Sequence, residues 1–135
     1  MSDDGIISDR LRRFIAQYIH SVAQLEILLL LHTNPSQAWT AAAIARELRV
    51  EVSGAAEQLL LLATAGLAQN ESPPGAPPAY HYHASTPDVQ ADTLALAQAY
   101  LIRRVTIIGL IFANPSDKIR SFSDAFRLRK EEPDA

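Results

Sequence analysis

Residues 50–71 read "VEVSGAAEQLLLLATAGLAQNE". Ser53 is a helix-capping residue type ahead of a run of good helix formers. Gly66 sits where a helix end favours a left-handed residue. The stretch therefore predicts a helix that starts at a Ser53 cap and ends at Gly66, followed by a short strand. It holds three glutamates and no lysine or arginine. A helix of that composition has little attraction for a phosphate backbone.

Upstream, Ser8-Asp9 starts a first helix with Leu11, Phe14, Ile15, Tyr18 and Ile19 at helical spacing. Ser21 and Gln24 form a capping-box pattern before "LEILLLL", so a new or kinked helix begins there, and Asn34-Pro35 stops it. "QAWT" is a short extended segment. Thr40 then caps "AAAIARELRV", whose Ile44 and Leu48 point inward.

Downstream, "LAQNES", "PPGAPP" and "AYHYHA" read as a β-hairpin with a proline-stiffened loop. Thr86-Pro87-Asp88 supplies a cap, a proline at the first position and an acid in the first turn of a helix. That helix is expected to run unbroken to Ala113, with a strand over Val105–Phe112 as the rival reading. It would be roughly 40 Å long. Asn114-Pro115-Ser116-Asp117 caps a last helix carrying Ile119, Phe122 and Phe126, and the tail from residue 131 frays.

The whole chain has 135 residues, enough for one core, and its 48% apolar and 20% charged residues are ordinary for a globular protein. It has no cysteine, which excludes disulfides, thiolate metal sites and a cysteine nucleophile. The start "MSDDGIISDRLRRF" lacks the apolar core of a secretory signal, and the apolar run "VTIIGLIFA" is too short to span a bilayer. A cytoplasmic protein without membrane contact is the expectation. The net charge of −3 gives no general attraction to nucleic acid or anionic lipid.

The phrase "WTAAAIARELRVEVSGAAEQLLLLATAGLA" followed by "YHYHAST" resembles the winged helix-turn-helix domain of MarR-type bacterial transcription regulators. The markers are Trp39-Thr40, the trio Ile44, Ala45 and Leu48, and Ala65-Gly66-Leu67. The resemblance implies a mainly α fold with a three-helix core and β-hairpin wing over residues 21–86. Residues 1–20 and 87–130 would be flanking helices used for homodimerisation. It also implies transcription regulation through DNA, the helix from Ser53 being the groove reader.

The residues depart from that pattern in two ways. Between residues 50 and 102 there is no lysine or arginine, while Glu51, Glu57, Glu71, Asp88 and Asp92 give a formal −5. "QLLLLA" also puts leucines on more than one side of the helix, so Leu60 or Leu61 must face away from the core toward a protein. If DNA is bound, Arg46 and Arg49 are the phosphate clamps, with Ser53, Gln58, Gln69 and Asn70 near the bases. The alternative is a winged helix that docks a protein partner and does not touch DNA. Dimer or partner contacts are expected at Phe14, Tyr18, Leu61, Leu101, Ile108, Phe112, Phe122 and Phe126. The apolar stripe Ala97, Leu101, Val105, Ile108, Phe112 is the strongest interaction signal.

His81 and His83 alternate with Tyr80 and Tyr82, which puts the histidines on one strand face and the tyrosines on the core. No third ligand is spaced to complete a metal site. There is no nucleophile turn or glycine-rich phosphate loop. The chain is read as non-catalytic, with no cofactor.

Overall fold

The computed structural model describes residues 7–113. Six helices and a three-stranded antiparallel sheet form a mainly helical protein among those residues. The expected terminal helix with Phe122 and Phe126, and the tail, lie outside them.

Local hydrogen bonds set the first helices. In α1 (Asp9–Tyr18) Ser8 Oγ accepts from the Leu11 N–H at 3.1 Å. In α2 (Val22–Thr33) Ser21 Oγ accepts from the Gln24 N–H at 3.0 Å. The reciprocal bond of this cap runs from the His20 N–H to Gln24 Oε1 at 2.8 Å, one residue earlier than the capping-box pattern implies. It satisfies buried Gln24 at the break between the two helices, whose axes bend by 108°.

Thr40 serves two elements. It ends β1 (Trp39–Thr40), opposite Ala79, and its Oγ1 accepts from the Ala43 N–H to cap α3 (Ala41–Leu48). A short turn leads to α4 (Val52–Thr64). Here the sequence expectation is corrected: Glu51 is the N-cap, without a side-chain cap bond, and Ser53 lies inside the helix. The far end forms as expected. Gly66 has φ 86°, and Leu67 N–H donates to Leu62 O while Gly66 N–H donates to Ala63 O. These two bonds define a Schellman end. Leu62 and Leu67 are both fully buried and fix the direction in which the chain leaves.

The hairpin strands are β2 (Ala68–Asn70) and β3 (Ala79–Tyr82). Sheet order is β1-β3-β2, with Trp39 opposite Tyr80 and Ala68 opposite Tyr82. Tyr80 and Tyr82 face the core, as the alternation requires.

The unbroken helix to Ala113 does not form. The chain makes α5 (Pro87–Ile102) and α6 (Arg104–Phe112), with axes 118° apart. Arg103, at φ −126° and ψ 54°, is the hinge. Folding α6 back buries Ile107 and Ile111 almost completely. Each such side chain contributes about 1.5–3 kcal/mol, more than the one or two helical hydrogen bonds lost at a break. A straight helix would carry both isoleucines past the core. The rival strand reading of this segment is also excluded.

One core cluster runs through every helix: Leu11 and Phe14 of α1, Leu28 of α2, Ile44 of α3, Leu59 and Leu62 of α4, Leu96 of α5, Ile107 of α6. The flanking helices and the middle of the chain therefore share one interior.

Candidate functional site

A groove of about 620 Å³ opens between α4, the start of α3 and the hairpin loop. Val52, Ala56 and Leu60 form its helical wall. These positions are four residues apart and so stack on one side of α4. Pro77 and Pro78 form the opposite wall, and Tyr80 lines it beside buried Leu59. Val52 is 52% and Leu60 58% exposed, so the wall faces solvent. The volume lies in the range of ligand clefts, about 300–1,000 Å³. Apart from the hydroxyl-bearing Thr40 and Tyr80 the lining is apolar, so it can hold apolar side chains.

The loop wall is held open by its own bonds. Asn70 Oδ1 accepts from Ser72 N–H at 2.9 Å, Ser72 Oγ at 2.8 Å and Ala79 N–H at 3.3 Å. Glu71 N–H donates to Ala79 O at 2.9 Å. Gly75, at φ 87°, turns the loop. Asn70, an expected base contact, holds the loop through its carboxamide oxygen.

Charge around the groove is one-sided. Glu51 precedes Val52, and Glu57 lies one helical turn before Leu60 on the same face. Neither makes an ion pair among the described residues. Glu71 Oε2 lies 2.6 Å from His81 Nδ1. Asp88 and Asp92, in contrast, are held by Arg10 at 3.4 and 2.6 Å. The acidity of residues 50–102 is thus concentrated on α4 and the hairpin.

The other expected DNA contacts differ in exposure. Arg46 and Arg49 are exposed and make no ion pair among the described residues. Ser53 and Gln69 are exposed. Gln58 is half-buried in the stripe of Ala55 and Leu62, and its Oε1 is buried without a hydrogen-bond partner among the described residues. Sequence reasoning found Leu60 and Leu61, which are 58% and 47% exposed, but missed Val52, Ala56 and the two prolines. The signal available for them was the proline run across from a helix with no cation.

A second apolar surface lies at the α5–α6 corner. Leu101 is 86%, Val105 83% and Phe112 71% exposed, joined by Ile102. Ile108 is half-buried. Phe14 is buried in the core, its ring 5.1 Å from Tyr18, and so offers no surface. Beside the corner, Glu26 accepts from Tyr100 Oη at 3.5 Å and meets Arg104 at 3.6 Å, with the Arg104 guanidinium 5.4 Å from the Tyr100 ring.

The imidazoles of His81 and His83 lie 6.4 Å apart, and no group of three metal-ligating side chains gathers among the described residues. His32 packs edge-on to Tyr82, ring centres 5.0 Å apart. Burial lowers the His32 pKa from its usual 6.5. Burial also raises the Tyr82 phenol above its usual value. No single helix among the described residues is long and apolar enough to cross a membrane.

Compared with known protein families, curated proteins and solved structures, the chain matches none.

Proposed function

We propose that the chain is a non-catalytic regulatory protein with a winged-helix core of the kind used by MarR-type regulators. Its front, formed by α4 and the hairpin, docks protein. The observation that carries this reading is the groove of Val52, Ala56, Leu60, Pro77 and Pro78, set on a surface without a cation from residue 50 to 102. DNA affinity depends on neutralised phosphates, and Glu51 and Glu57 oppose it where a groove-reading helix would need cations.

A direct DNA reading keeps one specific support: Arg46 and Arg49 are exposed and without ion pairs among the described residues. The two readings separate in one comparison. At low salt and micromolar protein, a mobility shift against genomic fragments is expected to be absent. A shift that steepens with falling salt and disappears in Arg46→Ala or Arg49→Ala would establish the DNA reading instead. Docking requires a protein retained by the wild type and by Arg46→Ala, and lost by Leu60→Asp.

The protein acts as a homodimer in this proposal. Leu101, Val105 and Phe112 at the α5–α6 corner form the shared face, because an apolar patch that closes by twofold symmetry leaves no second sticky surface. Sedimentation is expected to give a dimer for the wild type and a monomer for Val105→Glu. A wild-type monomer at high micromolar concentration would refute the dimer without touching the groove.

A further inference from the structure

Two exposed apolar surfaces differ in charge. The α5–α6 corner carries Arg103 and Arg104, whereas the groove wall on α4 is flanked by Glu51 and Glu57. The chain continues for 22 residues beyond Ala113. Within them, residues 118–130 read "KIRSFSDAFRLRK", with five of the chain's twelve cations and one acid. Ile119, Phe122 and Phe126 follow at spacings of three and four, the pattern of one apolar helical stripe. Lys118 and Arg120 lie before Phe122, and Arg127, Arg129 and Lys130 follow Phe126. The acids Glu131, Glu132 and Asp134 come only after the last of these cations.

This segment has the chemistry that the groove lacks: aromatic side chains to fill an apolar cleft, and cations on either side to meet an acidic rim. From Ala113 the extended chain reaches roughly 30 Å to Phe122 and roughly 43 Å to Phe126. We propose that residues 118–130 dock in cis into the groove formed by Val52, Ala56, Leu60, Pro77 and Pro78, with Phe122 and Phe126 as anchors, so that the chain covers its own docking surface. The inference rests on the reading of the front as a protein-docking face. Tethering places the segment at an effective concentration of about millimolar, so even weak contact keeps the groove filled until a stronger partner displaces it.

The chain has no cysteine, so a designed pair reports cleanly. Full-length Ala56→Cys/Ser123→Cys is oxidised at low micromolar concentration and run without reductant. The expected product is an intrachain disulfide, visible as a faster monomer band. Its yield is expected to fall by about tenfold when Phe122→Asp and Phe126→Asp are added, matching the loss of roughly 1.4 kcal/mol of docking. Leu60→Asp is expected to act in the same direction. An intrachain yield unchanged by these substitutions overturns the proposal, because the contact is then random encounter. So does a disulfide formed only between chains, which would assign the groove to a second copy. If the crosslink fails while Leu60→Asp still loses an external partner, the docking face stands and only self-occlusion falls.

Discussion

Arg10 of α1 and Asp92 of α5 meet at 2.6 Å, Nε to Oδ1, across 82 positions of sequence. The same guanidinium donates to the Asp88 backbone oxygen at 3.2 Å and lies 3.4 Å from its carboxylate. The contact ties the first helix to the start of α5. It also withdraws two acids from the acidic stretch and leaves the remaining ones around the groove.

Arg10→Ala is expected to lower stability by about 0.5–1 kcal/mol, because the arginine and Asp88 side chains are largely solvated and only Asp92 is shielded. Urea titrations at low and high salt test this. The loss should shrink as salt screens the wild-type pair. Equal losses at both ionic strengths would mean that packing of the arginine stem, and not charge, is responsible.

Arg49 is the one non-glycine residue with positive φ among the described residues, at φ 59° and ψ 48°. It closes α3, letting Val50 N–H donate to Ala45 O at 3.1 Å. A side chain in this region costs about 1–2 kcal/mol, part of which glycine returns as unfolded-chain entropy. Arg49→Gly should therefore raise stability by roughly 0.5–1 kcal/mol in urea. A destabilised variant would show that the arginine side chain contributes contacts that outweigh its backbone strain.

Gly66 admits no side chain. Its φ is positive, and a Cβ there would lie 2.8 Å from Ser85 Oγ. Ser85 N–H donates to Gly66 O at 3.0 Å, so displacing one residue moves the other. Gly66→Ala is expected to cost about 2 kcal/mol. Adding Ser85→Gly should recover the steric part and leave the backbone part. Thermal melts of the single and double variants check this, and a wild-type melt for Gly66→Ala would contradict the left-handed turn.

His32 resists protonation in the fold because burial against Tyr82 disfavours its charged form. As pH falls through 6.5 the unfolded chain binds a proton there that the folded chain does not. The stability contributed by this site is complete above 6.5 and is lost below it, until folded His32 is itself protonated. Urea midpoints for wild type and His32→Gln should diverge in slope between about pH 7.5 and about pH 5.5, the wild type losing more. Parallel profiles would place the pH response at other groups.

Much of the fold is legible in short range. Ser8, Ser21, Thr40 and Thr86 each cap the helix that their position announces, Gly66 ends α4 as its place after the leucine run requires, and the alternation of Tyr80 and Tyr82 gives their inward face. Each signal depends on bonds within about four residues, or on strand alternation, and so survives in the bare sequence. Ser53 misleads because a capping residue type does not cap when a neighbour takes the extended conformation, as Glu51 does. Leu60 and Leu61 were marked as outward by the crowding of four leucines on one helix, but the groove beside Leu60 was not, since Pro77 and Pro78 lie in a loop whose distance from α4 no local pattern encodes.

The amino-acid order alone determined the capped helices, the hairpin, the apolar interior and the absence of cations across residues 50–102. Only the tertiary structure decided that the chain breaks at Arg103, that Arg10 takes up Asp88 and Asp92, and that α4 and the proline loop enclose a cleft. The physical reason is range. Caps and turns are settled by neighbours in sequence, whereas a hinge, a distant ion pair and a groove arise from competition for one shared core, and that competition is resolved only when all the helices pack at once.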